Sequence, residues 1–487
     1  MGDVNGPNPP PADPIVDSQR DDNDNAVALS SEVVFATSGE RDSIAAPPGR
    51  GWIRDAAFVV GGQGVSGFGS ILVSFAVTWH LALQTGSGMV LAWAIVFSLL
   101  PTAIVSIFGG VWADRHNRKV LIIAADAAIA IFTLLLAWLL RAGINQLWVF
   151  YFVLAIRSAF AGLQQPAATA LIPQIVPADS LLRVNGISQS IMATEMLIAP
   201  GVAAVLLSRI GIEAVLIADV VTAVIGIALL LAVPVQKAVR SADYARDAVG
   251  SVGVANNATG AANGEVADAK PSYFGDLIAG FRYVIANPAF LWLTGVMTVF
   301  TFLLGGPMNL TTLMVPRYFS GEAWSVETIL AVNESVWAVG FLLSGLIITA
   351  VASRTKNRMA LILGVCPLLA TLSILLGWSP NVWTFFGFGF LIAFAASFVN
   401  TPIMTILQET VTEEMQGRVF GLVGVLMSLA TPLSMLIYGP ASDFLSLRVL
   451  LYIGGIAMLV VFGVVMCLPA ARRSFASVAY KPAEIAE

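Results

Sequence analysis

The chain is poor in charge, in cysteine and in histidine, and each shortage removes a class of protein. Of 487 residues only 11% are Asp, Glu, Lys or Arg, whereas a soluble domain carries about a quarter. With 57% hydrophobic residues, the composition is that of a polytopic membrane protein. The two cysteines, Cys366 and Cys467, lie inside apolar runs, which excludes a disulfide framework and a thiolate metal site and reads as packing. The two histidines, His80 and His116, are too far apart to share a metal ion, and no Gly-rich loop ending in Lys-Ser or Lys-Thr is present to hold a nucleotide. No cofactor, metal, nucleic-acid partner or enzyme chemistry is expected.

Long apolar runs are abundant. About twenty apolar residues cross a bilayer, and runs of that length fall near 56–83, 88–112, 119–141, 146–170, 184–208, 211–234, 289–314, 326–351, 358–378, 380–406, 419–442 and 447–470. They predict an all-α fold with twelve transmembrane helices. Residues 1–50, rich in Asp, Asn, Pro and Ser, lack the apolar surface to fold and are expected to be a disordered cytoplasmic tail. They do not have the pattern of a cleaved signal peptide, so the first span is expected to direct insertion. Residues 236–272 read as a flexible cytoplasmic linker between six-helix bundles at 51–235 and 273–470, with 471–487 a second cytoplasmic tail. Tyr273, Leu277, Phe281 and Val284 share one face of an amphipathic segment expected to lie on the inner leaflet before Pro288.

Cations set the orientation. With both termini inside, Arg115, Arg118, Lys119, Arg183, Lys237, Arg358, Arg418 and Arg472 are among those that fall on the cytoplasmic side, and only Arg141, Arg209, Arg317 and Arg448 on the other, as the positive-inside rule requires. The bundles also echo one another. Residues 176–186, Val-Pro-Ala-Asp-Ser-Leu-Leu-Arg-Val-Asn-Gly, align without gaps on 411–421, Val-Thr-Glu-Glu-Met-Gln-Gly-Arg-Val-Phe-Gly. Each copy lies between a span containing Pro166 or Pro402 and one containing Pro200 or Pro432. Parallel six-span repeats are a transporter architecture with its site between the halves near the midplane.

Between the second and third spans stands Gly110-Val-Trp-Ala-Asp114-Arg115-His-Asn-Arg118-Lys119. This resembles the loop signature of the major facilitator superfamily, with Asn117 where Gly is usual; Asn tolerates a left-handed turn nearly as well. The mirrored loop, Ser353 to Arg358, keeps the basic character but has Arg354 in place of the acid. Gly62-Gln-Gly-Val-Ser66, Gln165-Pro-Ala, Val184 to Ser190 and Gln416 to Gly421 resemble the drug-exporting branch that includes macrolide efflux proteins. The resemblance covers about residues 50–470 and implies twelve helices in two pseudo-symmetric halves, with spans one, four, seven and ten lining a cavity.

Ionisable residues well inside the spans are costly, about 3 kcal/mol or more each, and are functional candidates by default. They are Asp126, Arg157, Glu195, Asp219 and Glu334. Arg157 and Glu195 each lie eleven residues into their spans, so a rise of about 1.5 Å per residue places both near the midplane. They are expected to pair, either as a static bond or as a coupling element. The resemblance implies a role in proton coupling for Arg157 within Ile156 to Gly162. Asp126 is expected to join the cytoplasmic network around Asp114, and Glu334, beside Asn333 and one turn from Trp337, to face the cavity.

Polar stripes run along the first span at Gln63, Ser66, Ser70, Ser74 and Thr78, and along the seventh at Thr294, Thr298, Thr301, Gly305, Asn309 and Thr312. They read either as cavity lining, with Gln165 and Asn400, or as close helix packing through small hydroxyl residues. Phe75, Trp337, Phe341, Phe398 and Met404 form an adaptable apolar wall or simply face lipid. Gly110, Asp114, Arg115, Arg118 and Lys119 are read as a cytoplasmic gate, with Gly439 to Asp443 a counterpart on the outer side.

The expected function is proton-coupled export of an amphipathic small molecule by a monomer in the cell membrane, its partners being substrate, protons and lipid. A transporter of a dedicated cargo such as a siderophore, lipid or nutrient, and a non-transporting membrane scaffold, are the alternatives.

Overall fold

The computed structural model describes Gly2 and residues 51–234, 273–352 and 358–479. The rest of the 1–50 tail, residues 235–272 including the linker, residues 353–357 of the second basic loop and residues 480–487 lie outside the described residues. No strand occurs among the described residues. In a bilayer the backbone must satisfy its own hydrogen bonds, and a helix does so within one segment.

The helices are α1 (Trp52–Thr85), α2 (Gly88–Arg115), α3 (Arg118–Arg141), α4 (Leu147–Ile175), α5 (Leu181–Arg209), α6 (Ile212–Leu231), α7 (Tyr273–Ala286), α8 (Pro288–Asn309), α9 (Thr311–Tyr318), α10 (Val326–Ala352), α11 (Arg358–Trp378), α12 (Val382–Thr410), α13 (Glu413–Phe444), α14 (Leu447–Cys467) and α15 (Pro469–Ala479). Among the described residues twelve segments are long and apolar enough to cross a membrane, α8 and α9 together forming one of them. The chain is therefore a multi-pass membrane protein. Its connections alternate between a linker end, with residues 116–117, 176–180 and 411–412, and a far end, with residues 86–87, 142–146, 210–211, 319–325, 379–381 and 445–446.

Short polar residues stop and start the helices. Ser87 caps α2 through the amide of Val90, and Ser446 caps α14 through that of Val449. Asn381 and Thr384 form a reciprocal capping box at α12. Asn117 caps α3, its side chain accepting from the amides of Lys119 and Val120 at φ −66°. The left-handed turn expected there is absent, because a free carboxamide is better used on orphan helix amides.

Helix pairing within the halves is the same. The pairs α1·α5, α1·α6, α2·α4, α3·α4 and α3·α6 recur as α8·α13, α8·α14, α10·α12, α11·α12 and α11·α14. The halves meet along two equivalent seams, α2 against α13 and α5 against α10. The aligned blocks 176–186 and 411–421 occupy equivalent connections at the linker end, entering α5 and α13.

Two peripheral helices complete the C-terminal half. On α7, Val284 is buried while Ile278, Phe281 and Ile285 are exposed, and Gly280 allows the helix to lie against the backbone of Arg418 in α13. The segment expected to be a tail from residue 471 instead continues the helix α15, with Ala471 and Phe475 buried against the bundle. Its short apolar face, spaced four residues apart, was too brief to stand out beside the spans.

Candidate functional site

The centre of the N-terminal half holds a charged cluster. Arg157 on α4 donates from Nη1 to Asp219 Oδ2 on α6 at 2.5 Å and also contacts the Thr133 hydroxyl on α3. Thr133 lies 2.9 Å from the same carboxylate oxygen, and Ser70 on α1 is 3.5 Å from the other. Arg157 is 7% and Asp219 1% exposed. Two helices thus supply the ion pair and two more its hydroxyl partners, and desolvating two charges is tolerated only when they are paired and hydrogen-bonded. Neighbouring Ser158 ties α4 to α2, its hydroxyl accepting from the amide of Thr102 at 3.1 Å.

The expected partner of Arg157 was Glu195, and the pair does not form. Depth counting fixes height in the membrane but not the direction a side chain faces. Glu195 on α5 lies against α1, where a Cβ added to Gly64 or Gly67 would come within 3.3 Å of its carboxylate. Asp219 sits on the helix that actually packs beside α3 and α1.

One turn along α1 from Ser70, Ser66 donates to Asp126 Oδ1 at 2.7 Å, and Gln164 on α4 donates to the same oxygen at 2.7 Å. Gln164 also lies 3.4 Å from Gln63. Asp126 therefore belongs to the interior of the half and not to the loop network expected for it. Ser66, expected in a cavity wall, is 3% exposed and used for this bond. The signal for Gln164 and Thr133 was available: each follows a charged residue of its own helix by seven positions, Arg157 and Asp126 respectively, and so shares its face.

Other candidates stand closer to the seams. Glu334 on α10 is half-buried, whereas Asn333 is 3% exposed with Oδ1 lacking a donor, so the expected cavity exposure does not extend to Asn333 in this conformation. Trp337 packs its indole against Gly389 of α12. Thr298 and Asn309 bond to their own helix, and Thr301 lies 3.3 Å from the Met427 sulfur on α13. Gln165 and Asn400 are exposed. Towards the linker end α5 exposes residues around most of its circumference, including Leu182, Arg183, Gln189, Ser190, Ala193 and Thr194.

At the far end the halves are bolted together. Asp443 of α13 accepts from the amides of Gly88 and Met89 at 2.7 and 3.2 Å and from the Ser87 hydroxyl at 2.9 Å, capping the start of α2. A carboxylate there also meets the positive end of the helix. Arg317 on α9 donates to the carbonyls of Gly86 and Ser442 at 2.6 and 3.0 Å and stands 3.8 Å from Asp443. The approach is close enough to demand glycine: a Cβ on Gly88 would strike Ser442 Oγ and lie 2.6 Å from the carbonyl of Gly439.

At the linker end, Arg118 donates to the carbonyl of Ala170 at 2.7 Å, and Lys119 to those of Leu231 and Val233 at 3.1 and 2.7 Å. Lys119 thus neutralises the negative end of α6. These bonds staple α3 to its own half. The side chains of Gly110, Asp114 and Arg115 lie outside the described residues. In the mirrored loop Arg358 pairs with Glu409.

Two six-helix repeats meeting along pseudo-equivalent seams, with an ion pair buried inside one of them, are a transporter architecture. The chain belongs to the Major Facilitator Superfamily, whose family model matches residues 59–430 and 334–481. It is similar to Macrolide efflux protein A of Streptococcus pyogenes, 26% identical over 390 residues that cover 78% of this chain and 88% of the relative. Macrolide efflux protein A of Enterococcus faecalis is 27% identical over 358 residues, 72% of this chain and 100% of the relative. Among solved structures, a bacterial homologue of the iron transporter ferroportin in its inward-facing state superposes with TM-score 0.58 at 18% identity, covering 88% of this chain and 99% of that one. A D-xylose–proton symporter gives 0.59 at 17%, with 83% and 96% covered. These superpositions show the fold.

Proposed function

We propose that this chain exports amphipathic compounds such as macrolides in exchange for protons, from the cell membrane and with both termini cytoplasmic. The observation that carries the reading is the buried Arg157–Asp219 pair. It lies wholly inside one half, so it is not needed to join the halves, and a static bundle gains little from such a pair over apolar packing. A charge whose partner can change is a means of making helix packing respond to a proton. The macrolide relatives favour the substrate class.

Alternating access supplies the transport step. The Asp443 cap and the Arg317 bridge hold the far end shut, while the linker-end half of α5 is exposed around most of its circumference, which supports halves that stand apart at that end. Export requires the far-end bonds to break and the linker end to close around α2 and α13. The test is macrolide susceptibility of cells expressing the wild type and Arg157→Ala at equal membrane abundance. Wild type should raise the inhibitory concentration and the variant should not; equal resistance from both contradicts the reading.

A further inference from the structure

We propose that Asp126 is the carboxyl group that takes up and releases the coupling proton, with Arg157 and Asp219 as the fixed charges beside it. The inference rests on the proton-coupled export reading and deepens it by naming the proton's binding site. Asp126 is 2% exposed. Both of its hydrogen bonds come from neutral donors, Ser66 and Gln164, and both fall on Oδ1. Oδ2 is buried with no donor among the described residues, and no arginine or lysine is bonded to the group.

The charges that face it are few. The nearest are Asp219 of α6 and, bonded to it from α4, Arg157, neither in hydrogen-bond contact with Asp126; α1 contributes the uncharged Ser66 and Gln63. Asp219 is neutralised by its arginine, and Glu195 is half-exposed. Asp126 is more deeply buried than Glu195 or Glu334 and has no counter-ion among the described residues, and an unpaired buried carboxylate is far more costly than a neutral acid. Gln63, half-exposed and within 3.4 Å of Gln164, places the group one side chain from the surface of α1.

The step balances without any co-reactant. The O–H bond on Oδ2 breaks, the proton leaves to water, and the carboxylate keeps the electron pair. The new charge then lies roughly 6–10 Å, one turn of α1 or two turns of α3, from the level of Asp219; it repels that carboxylate and attracts the guanidinium bonded to it. Because Asp126, Arg157 and Asp219 belong to three helices, a shift of the arginine changes how those helices pack.

The experiment uses the full chain, reconstituted in vesicles and in detergent, with a radiolabelled macrolide as probe. Wild type should release protons into weakly buffered solution on binding macrolide and should take up macrolide against an imposed pH gradient. Asp126→Asn, which keeps the shape and an acceptor for Ser66, should bind macrolide and exchange it by counterflow, yet show neither proton release nor gradient-driven uptake. Asp126→Glu should regain part of both. Wild-type proton release from Asp126→Asn overturns the assignment, as does loss of binding and counterflow along with uptake. A wild type that counterflows macrolide but ignores the gradient overturns the proton-coupling reading itself, and the assignment with it.

Discussion

Arg157 and Asp219 stabilise the N-terminal half only as a pair. Removing one partner leaves a lone charge among apolar neighbours, so Arg157→Ala should lower stability by about 3–5 kcal/mol, read as a drop in the thermal unfolding midpoint of the purified protein. The double variant Arg157→Met with Asp219→Leu should recover most of that midpoint, because apolar side chains of similar volume replace a buried pair at little cost. It should not recover transport. Restoration of both would reduce the pair to a packing device. The sequence disclosed the depth of these residues but not their azimuth, so Arg157 was matched with Glu195 at equal height while its real partner came from α6. The same limitation hid the role of Ser66, which belongs to a polar stripe yet faces the interior of its own half.

At the scale of elements, the far-end contact between α2 and α13 depends on a glycine from each helix, Gly88 and Gly439. Gly88→Val should destabilise the closed far end, since the added atoms would meet Ser442 and the backbone of Gly439. A cysteine at Ala92, which is 2% exposed where it meets Gly439, should then react faster with a membrane-impermeant maleimide than it does in the Gly88 protein. An unchanged labelling rate would argue against this seam as a gate. Asp443→Asn weakens the same contact more gently by removing the charge at the start of α2, and should increase labelling to a smaller degree.

Element positions were largely legible in the sequence, since an apolar run of membrane length leaves little choice of conformation. Ends and short pieces were not. The separate helix α9, the helix α15 where a tail was expected and the capping role of Asn117 each depend on local hydrogen bonds that hydropathy does not register.

For the whole molecule, the paired seams and the repeated helix contacts make two rigid halves the natural moving parts, with the linker end and the far end opening in turn. On the proposed reading such a machine would convert a proton gradient into a drug gradient of one direction only. The most direct measurement is radiolabelled macrolide uptake into everted membrane vesicles, whose cytoplasmic face is outward. The account predicts accumulation when the vesicle interior is made acidic, and collapse of that accumulation on adding a protonophore. Accumulation only with an alkaline interior, or to the same level with no gradient, would contradict it.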